Sequence, residues 1–380
     1  MTTTHLPDDE LALLGRTCHE LLAKAGGVDR VRALRDAGQP LRFAASLWEH
    51  IAELGWLGIT APEDHGGAGG GCRAVLPVLE AAGAALAPEP LLSTVLAIRL
   101  LARAGSAAQR DRWLPPIMDG TAIPAVVGAH EHRSRAGGGA PRLIQGPHGP
   151  MLDGTARYVL DAALASVLLV VVEGPHPQLV VLPAGVPGVR LASRKLIDLR
   201  NWACVEFTRV PVPDADAEAG GALDQALESA LDEATVGLAG EMLGAMWALF
   251  DRTLEHARGR VQFGRPIGSF QAVAHRLARL YADLLLTDAC VREAADALDT
   301  HRPDAPALAS AAKLRCVLSS RLVCREGIQL HGGMGVTDEC DVGLFVKNLR
   351  VAEFYLGDHT WHADRWAALA AGPDPTEVDR

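Results

Sequence analysis

Short valine-rich runs in the middle of the chain separate two stretches of helical periodicity, and this change in the hydrophobic pattern limits the folds that the chain can adopt. VLLVVVE at 167–173 and LVVLP at 179–183 are broken by Gly, Pro and His, as in β structure with frequent turns. Before them, Leu47, Ile51 and Leu54 recur at the spacing of an amphipathic helix, and helical periodicity returns after them. The pattern predicts an α+β protein in which a small β-barrel or sandwich divides two helical regions.

The length of 380 residues allows two or three domains, each with a substantial core. We predict an N-terminal α-helical domain at 1–121, a middle β-domain at 122–214 and a C-terminal helical bundle at 222–380. The Pro-, Asp-, Ala- and Gly-containing string PVPDADAEAGG at 211–221 is predicted to be the linker before the bundle.

Within the last region, helices are predicted at 269–298, with Ser269 as the N-cap, and at 305–330. The preceding segment carries small residues, among them Gly240 and Gly244, three or four positions apart on one helix face. Such a stripe allows another backbone or a flat ligand to approach closely, and helix packing inside a bundle is the simpler interpretation.

Composition excludes several classes of function. A net charge of −10 and a pI near 5.8 argue against general nucleic-acid binding. No apolar stretch is long enough for a membrane span, and the N-terminus lacks the pattern of a signal peptide, so we expect a cytoplasmic protein. Seven cysteines without CxxC spacing indicate reduced thiols.

The string RVQFGRPIGSFQ at 260–271 combines a turn with groups that suit a nucleotide. Gly264, with Pro266 two positions later, is expected to end a helix and to force the chain to turn. Arg260 offers a charged fork to phosphate oxygens, and the amides of Gln262 and Gln271 can pair with a base edge. The string therefore predicts contacts with a pyrophosphate and a purine.

A second string, QLHGGMG at 329–335, supplies a glycine loop. Gly332 and Gly333 remove side chains where backbone amides could lie against phosphate or ribose, and Gln329 adds a directional donor. No GxGxxG follows a predicted strand and no GKS or GKT occurs, so neither a Rossmann site nor a P-loop is supported.

Together the two strings resemble the FAD-holding signature of the acyl-CoA dehydrogenase family. Resemblance to the family's N-terminal domain continues in the strings at 47–70 and 105–121, and to its middle β-domain at 152–172. The family has a helical N-terminal domain, a β middle domain and a C-terminal four-helix bundle, and it assembles as homo- or heterotetramers with FAD at subunit interfaces. The resemblance thus implies the same architecture here.

The resemblance also implies an activity: α,β-desaturation of an acyl-CoA thioester, with electrons passed to an electron-transfer acceptor protein. In the family, residues matching Arg260 and Phe263 hold the adenosine-diphosphate end of an FAD that is bound mainly by a neighbouring subunit. The implied cofactor is FAD, and no resident metal is implied.

The usual catalytic base is missing from the sequence. Most of the family place a glutamate in a YEG string where this chain reads YLG, with Leu356 at the centre, and a minority place it at a position that aligns with Ala234. Neither side chain can accept a proton. Glu241 and Asp358 are the remaining candidates, whereas Glu233 is expected on a solvated face.

Three interpretations follow from the missing base. In the first, the chain is one subunit of a heteromeric dehydrogenase for bulky, steroid-like acyl-CoAs, and its partner supplies the base. In the second, the chain works alone with Glu241 or Asp358 as the base. The third alternative is a non-enzymatic scaffold or a relative that uses flavin for a different reaction.

Two further segments bear on the site. VVGAHEHRSRAGGG at 126–139 replaces the family's flavin-ring segment, and its His130, Glu131 and His132 do not form a complete zinc ligand set. Asp358, His359 and His362 are likewise incomplete as a metal site.

Overall fold

The protein divides into two compact units. The computed structural model describes residues 6–38, 43–129, 133, 141–172, 178–212, 217–219 and 222–371. The first unit is formed mainly by Val31–Val75 and Pro88–Ala234. The second is formed by Asp8–Arg30, Leu76–Ala87 and the chain from Thr235 onward.

The N-terminal part is helical, as predicted. Its α-helices are α1 (Asp8–Lys24), α2 (Gly27–Asp36), α3 (Ala45–Glu53), α4 (Cys72–Ala84), α5 (Leu91–Ala104) and α6 (Ala107–Met118). Local chemistry explains the start of α6, where the Ser106 hydroxyl accepts from Gln109 N at 3.1 Å and the Gln109 side chain accepts from Ser106 N at 3.0 Å. This reciprocal capping box satisfies two N–H groups that would otherwise lack partners.

The middle part is β structure, as predicted. Its strands are β1 (Pro124–Val127), β2 (Arg142–Gly146), β3 (Gly149–Val159), β4 (Val167–Val172), β5 (Gln178–Pro183), β6 (Val189–Arg194), β7 (Trp202–Pro211) and β8 (Ala217–Ala219). They form two four-stranded sheets with the orders β1-β4-β5-β8 and β2-β3-β7-β6. The β1–β4 pair is parallel and the other pairs are antiparallel. Leu168 and Val170 of one sheet share a buried core with Val205 and Phe207 of the other.

The predicted linker at 211–221 is partly wrong. Residues Ala217–Ala219 form β8, which pairs with β5 through the register Gln178 with Ala219 and Val180 with Ala217. Backbone pairing at a sheet edge outweighs the turn-forming composition of the segment. Residues 213–216, 220 and 221 lie outside the described residues.

The last part of the chain is helical again, in agreement with the predicted bundle. Its α-helices are α7 (Ala222–Gly259), α8 (Gln271–Asp299), α9 (Ala305–His331), α10 (Val342–Ala352) and α11 (His359–Ala370). The predicted N-cap of α8 is wrong, because the helix begins after Phe270 and makes no side-chain cap bond there. The Ser269 hydroxyl instead donates to Pro266 O at 2.7 Å within a preceding 3-10 turn.

Helices α4 and α7 cross with their backbones in contact in the second unit. A Cβ atom on Gly244 would lie 1.9 Å from Glu80 O, and one on Gly83 would lie 1.9 Å from Glu241 O. Both distances are far shorter than any real Cβ contact, so only glycine fits at the two positions. The small-residue stripe of α7 therefore packs helix against helix.

A buried lysine holds the turn between α10 and α11. The Lys313 side chain is 0% exposed, and its Nζ lies 3.0 to 3.2 Å from the carbonyl oxygens of Ala352, Glu353, Tyr355 and Gly357. An ammonium group carries three N–H donors, so one of them is shared between two of these four carbonyls, which lie where the helical pattern ends. Residue 313 thus fixes the backbone around Leu356.

Among the described residues, no helix is both long enough and apolar enough to cross a bilayer. The seven cysteines all lie in the described ranges and are free thiols.

We expect Gly244→Ala to lower the free energy of unfolding by about 2 kcal/mol or more, because the added methyl must push α4 and α7 apart. The matched control is Gly343→Ala in α10, where a Cβ would meet nothing within 4 Å. Since alanine favours helix by about 1 kcal/mol over glycine, the control should hold or raise stability. Urea denaturation measures both variants, and equal stability of Gly244→Ala and wild type would contradict the backbone crossing.

Lys313→Met should lower the free energy of unfolding by at least about 3 kcal/mol, because each buried carbonyl left without a donor costs about 1–3 kcal/mol. Lys347→Met removes an exposed lysine from α10 and should change stability by less than about 0.5 kcal/mol. Thermal melting of the two variants checks this difference, and a Lys313→Met protein that melts with the wild type would refute the role of the ammonium group.

Candidate functional site

The first nucleotide-suited string folds as a miniature hairpin immediately after α7. Val261–Gln262 pairs antiparallel with Arg265–Pro266, and the two-residue loop consists of Phe263 with φ +53° and Gly264 with φ +79°. Two successive positive φ values are typical of the type I′ turn that closes tight hairpins. Glycine adopts this conformation readily, whereas phenylalanine does so with strain. The hairpin presents Phe263 at its tip with 93% of the side chain exposed.

The other predicted residues of this string lie around the same hairpin. Ile267 N donates to Arg260 O at 2.8 Å, which closes the base of the hairpin. Arg260 and Gln262 have exposed side chains, and exposed Gln271 begins α8. The structure therefore brings Arg260, Gln262, Phe263 and Gln271 to one exposed corner of the second unit.

The glycine loop follows α9 directly. Gly332 has φ +64° and ends the helix, and a short 3-10 helix spans Gly332–Val336. A Cβ on Gly332 or Gly333 would meet no heavy atom within 4 Å, so the backbone there is open to a ligand. Gly335 differs, because its Cβ would lie 2.7 Å from Ile328 O. Gln329, one turn before the loop, is exposed.

A pair of stacked histidines connects the end of α7, just before the first string, to the second string. The rings of His256 and His331 lie 4.4 Å apart at an interplanar angle of 23°, and His331 Nδ1 donates to Gly327 O at 2.8 Å. Burial lowers the pKa of His256, and electrostatic repulsion from its neighbours His331 and Arg260 lowers it further. The predicted residues of both strings are therefore gathered at one end of the helical bundle. His256 was not among the residues predicted from the sequence. Its spacing of four from Arg260, which places both residues on one helix face, is the sequence feature that could have indicated it.

The two family positions for the base are buried and apolar in this chain. Leu356 is 0% exposed with φ +56°, and His362 Nε2 donates to its carbonyl at 3.0 Å. Ala234, in α7, is also 0% exposed. Neither residue offers an atom that can accept a proton.

The two candidate carboxylates differ in what surrounds them. Asp358 caps α11, since its Oδ1 accepts from Trp361 N at 2.8 Å. Glu241 is buried in α7 beside the Gly83 crossing. Asp358 thus performs a structural task, while Glu241 sits in the interior of the second unit.

The expectation that Glu233 lies on a solvated face is wrong. Glu233 is 5% exposed, its Oε2 lies 2.6 Å from Arg99 Nε, and its other oxygen pairs with Arg103. Both arginines belong to α5, about 130 positions earlier in the chain, so the helical spacing around Glu233 could not reveal them.

Another buried carboxylate lies three residues before Leu356. Glu353 is 1% exposed and pairs with Arg321 and with Arg350, whose Nη1 lies 2.5 Å from its Oε2. Two guanidinium groups therefore hold this side chain, which makes it a support of the turn rather than a base.

The 126–139 segment is described only in part, and His130, Glu131 and His132 lie outside the described residues. Arg133 is described and fully buried, with Nη2 2.7 Å from Asp232 Oδ1 and 3.1 Å from Glu228 Oε2. No group of three His, Cys, Asp or Glu residues in the described ranges could hold a metal ion.

Comparison with known proteins identifies the family to which this fold belongs. The family model for the acyl-CoA dehydrogenase C-terminal domain matches residues 223–368, and the model for the N-terminal domain matches residues 9–121. The acyl-CoA dehydrogenase IpdE2 of Mycobacterium tuberculosis is 32% identical over 90% of this chain and 91% of that protein.

Two solved assemblies have a closely similar fold. The ChsE4-ChsE5 complex from Mycobacterium tuberculosis superposes with a TM-score of 0.87 at 28% identity, covering 97% of this chain and 99% of the matched chain. A Tcur3481-Tcur3483 steroid ACAD variant superposes with a TM-score of 0.85 at 29% identity, covering 96% and 98%. The chain belongs to the acyl-CoA dehydrogenase family.

Proposed function

We propose that this chain is an FAD-binding subunit of a heteromeric acyl-CoA dehydrogenase, and that its partner supplies the base that removes the α-proton of the thioester. The observation that carries the proposal is the exposed corner at the hairpin and glycine loop. Phe263, Arg260 and the Gly332–Gly333 backbone have few contacts inside the chain, although a folded protein normally covers a large aromatic side chain.

This corner fits the adenosine-diphosphate end of FAD. Arg260 and Gln329 would hold pyrophosphate and ribose oxygens, Gln262 and Gln271 offer amides to the adenine edge, and Phe263 offers a ring face. Since Phe263 is exposed at the tip of a hairpin, it reaches a cofactor held mostly by another subunit. Bound FAD would supply hydride acceptance from the β-carbon of the acyl group.

The second half of the chemistry is proton removal, and this chain is poorly equipped for it. Desaturation needs a carboxylate over the face of the substrate opposite the flavin. Leu356 and Ala234 are apolar, and Asp358 accepts a hydrogen bond as the N-cap of α11. Glu241 lies in the crossing of α4 and α7, where its backbone leaves room only for a glycine on the facing helix. The turn at Leu356 would serve as an apolar wall that excludes water. Hydrogen bonds from Lys313 hold the backbone of this turn in place.

Relatives support a shared assembly and a bulky substrate. One similar structure is a complex of ChsE4 with ChsE5, and another is named a steroid ACAD. We extend both features to this chain: a heterotetramer acting on a large, steroid-like acyl-CoA in the cytoplasm and passing electrons to an electron-transfer protein. Leucine in place of glutamate at position 356 removes a charge that a bulky apolar acyl group would have to desolvate.

Two alternatives remain distinguishable. A chain that works alone would use Glu241 or Asp358 as its base. A scaffold or a relative with another flavin reaction would keep the fold without desaturation, and a pure scaffold would not depend on Arg260 at all. The flavin content of an Arg260 variant and the turnover of Glu241 and Asp358 variants separate these alternatives.

Arg260→Ala should reduce bound flavin per chain by at least about fivefold, because it removes charge-assisted hydrogen bonds to phosphate worth about 1.5–3 kcal/mol. Arg258→Ala is the matched control, since Arg258 is also exposed at the end of α7 but is no part of the hairpin. Absorbance of the purified complexes measures the flavin. Unchanged flavin in Arg260→Ala would favour the scaffold alternative.

In the complex with its partner, Glu241→Gln and Asp358→Asn should each keep turnover within about threefold of wild type, because losing a true base costs on the order of 100-fold or more. Asparagine is as good an N-cap as aspartate, so Asp358→Asn preserves the start of α11. Turnover is assayed as acyl-CoA oxidation with an artificial electron acceptor. A loss of about 100-fold in either variant, with an unchanged flavin spectrum, would identify the base in this chain and contradict the partner assignment.

A further inference from the structure

The stacked rings of His256 and His331 form a contact between the two segments that are proposed to hold flavin. The rings lie 4.4 Å apart at an interplanar angle of 23°, and both side chains are half-buried in the second unit. Helix α9 also approaches α7 closely at Gly327, where a Cβ would lie 3.3 Å from Leu249 Cδ1. The stack is therefore one of the contacts that set the spacing between the ends of these two helices.

Each histidine is linked through the backbone to one of the two segments. Arg260 N donates to His256 O at 2.9 Å, and Arg260 O accepts from Ile267 N at the base of the hairpin. His331 is the last residue of α9 and immediately precedes Gly332. A displacement of either ring would therefore move the hairpin relative to the glycine loop.

The protonation of the two rings decides whether the stack is attractive. A carbonyl oxygen only accepts, so the bond of 2.8 Å between His331 Nδ1 and Gly327 O places a proton on Nδ1. A neutral ring of this kind can stack on another neutral ring or on a charged one. Two positively charged rings at 4.4 Å repel each other, and the contact then opposes the spacing that it otherwise supports.

The groups closest to His256 make its protonated form unfavourable. Its pKa is lowered by burial and then by repulsion from His331 and Arg260. Glu255 and Arg258 lie on either side of His256 in α7, and both are exposed to solvent, which screens their charges. The folded arrangement therefore favours the neutral form of His256.

Charged side chains on the neighbouring elements are held in ion pairs. Arg252 Nε, one turn before His256, lies 3.6 Å from Oδ2 of Asp341, which precedes α10. Glu326 Oε2 of α9 lies 2.5 Å from Arg276 Nε of α8. Each carboxylate already balances a guanidinium group, so neither offsets the charge of a second protonated ring.

We propose that the His256–His331 stack positions the hairpin against the glycine loop for flavin, and that protonation of both rings in mildly acidic solution separates them and releases the flavin. The inference rests on the proposed function, because it concerns control of the same cofactor contacts. Imidazole groups ordinarily titrate near about pH 6.5. Because the pKa of His256 is lowered, the stacked arrangement is favoured above about pH 6.5 and is lost as the pH falls below it.

The test is the dissociation constant of FAD from the complex with the partner chain, measured by flavin fluorescence about one pH unit above and one below the ordinary pKa of histidine. Wild type should bind FAD at least about tenfold more weakly at the lower pH, because a pKa difference of one unit corresponds to a tenfold change in equilibrium. His256→Phe keeps a planar ring without a titrating nitrogen, so its affinity should change by less than about twofold. His148→Phe removes an exposed histidine between β2 and β3 and should keep the wild-type pH dependence.

A second measurement needs no cofactor. In urea denaturation of the chain without flavin, the midpoint should fall more between the two pH values for wild type than for His256→Phe, because only wild type carries the titrating pair. Equal falls in the two proteins, or a wild-type FAD affinity that does not change with pH, would overturn the inference and leave the proposed function intact. A wild-type complex that retains no flavin at the higher pH would contradict the proposed function itself.

Discussion

The crossing of α4 and α7 is the constraint on which the position of the candidate site depends. Gly83 and Gly244 allow the two backbones to touch, and this contact fixes the path of a helix of 38 residues, about 57 Å long. The hairpin begins where that helix ends. Because Arg260 follows Gly244 by 16 positions, or about 24 Å of helix, a small change in the crossing would displace the whole corner.

Exposure and polarity in this chain differ from those of a complete enzyme site in two respects. Residues predicted to touch the cofactor are exposed, with Phe263 at the tip of a strained turn. Residues at the positions of the base are buried and apolar, and the backbone at Leu356 is held by the Lys313 ammonium group. A chain of this kind is suited to complete another subunit's site while offering an apolar wall of its own, which is the division of labour that we propose.

The sequence predicted what local periodicity controls. The helix predicted at 305–330 is observed at Ala305–His331, because a long amphipathic pattern determines a helix without help from distant residues. Prediction from the sequence failed where a residue's partner lies far away in the chain. Glu233 pairs with two arginines of another helix, and Ala217–Ala219, within the predicted linker, pair with β5. The residues of the hairpin lie together because they are neighbours in the chain, whereas the carbonyls around Lys313 come from a turn about 40 positions later.

The most direct test of the partner-supplied base compares the flavin content and turnover of the chain purified alone with those of the chain purified together with the product of a neighbouring gene. We predict that the isolated chain contains little flavin and does not oxidise acyl-CoA, and that the co-purified complex contains flavin and does. Robust turnover by the isolated chain would contradict the assignment of the base to a partner. A complex that never retains flavin would contradict the role of the hairpin and the glycine loop.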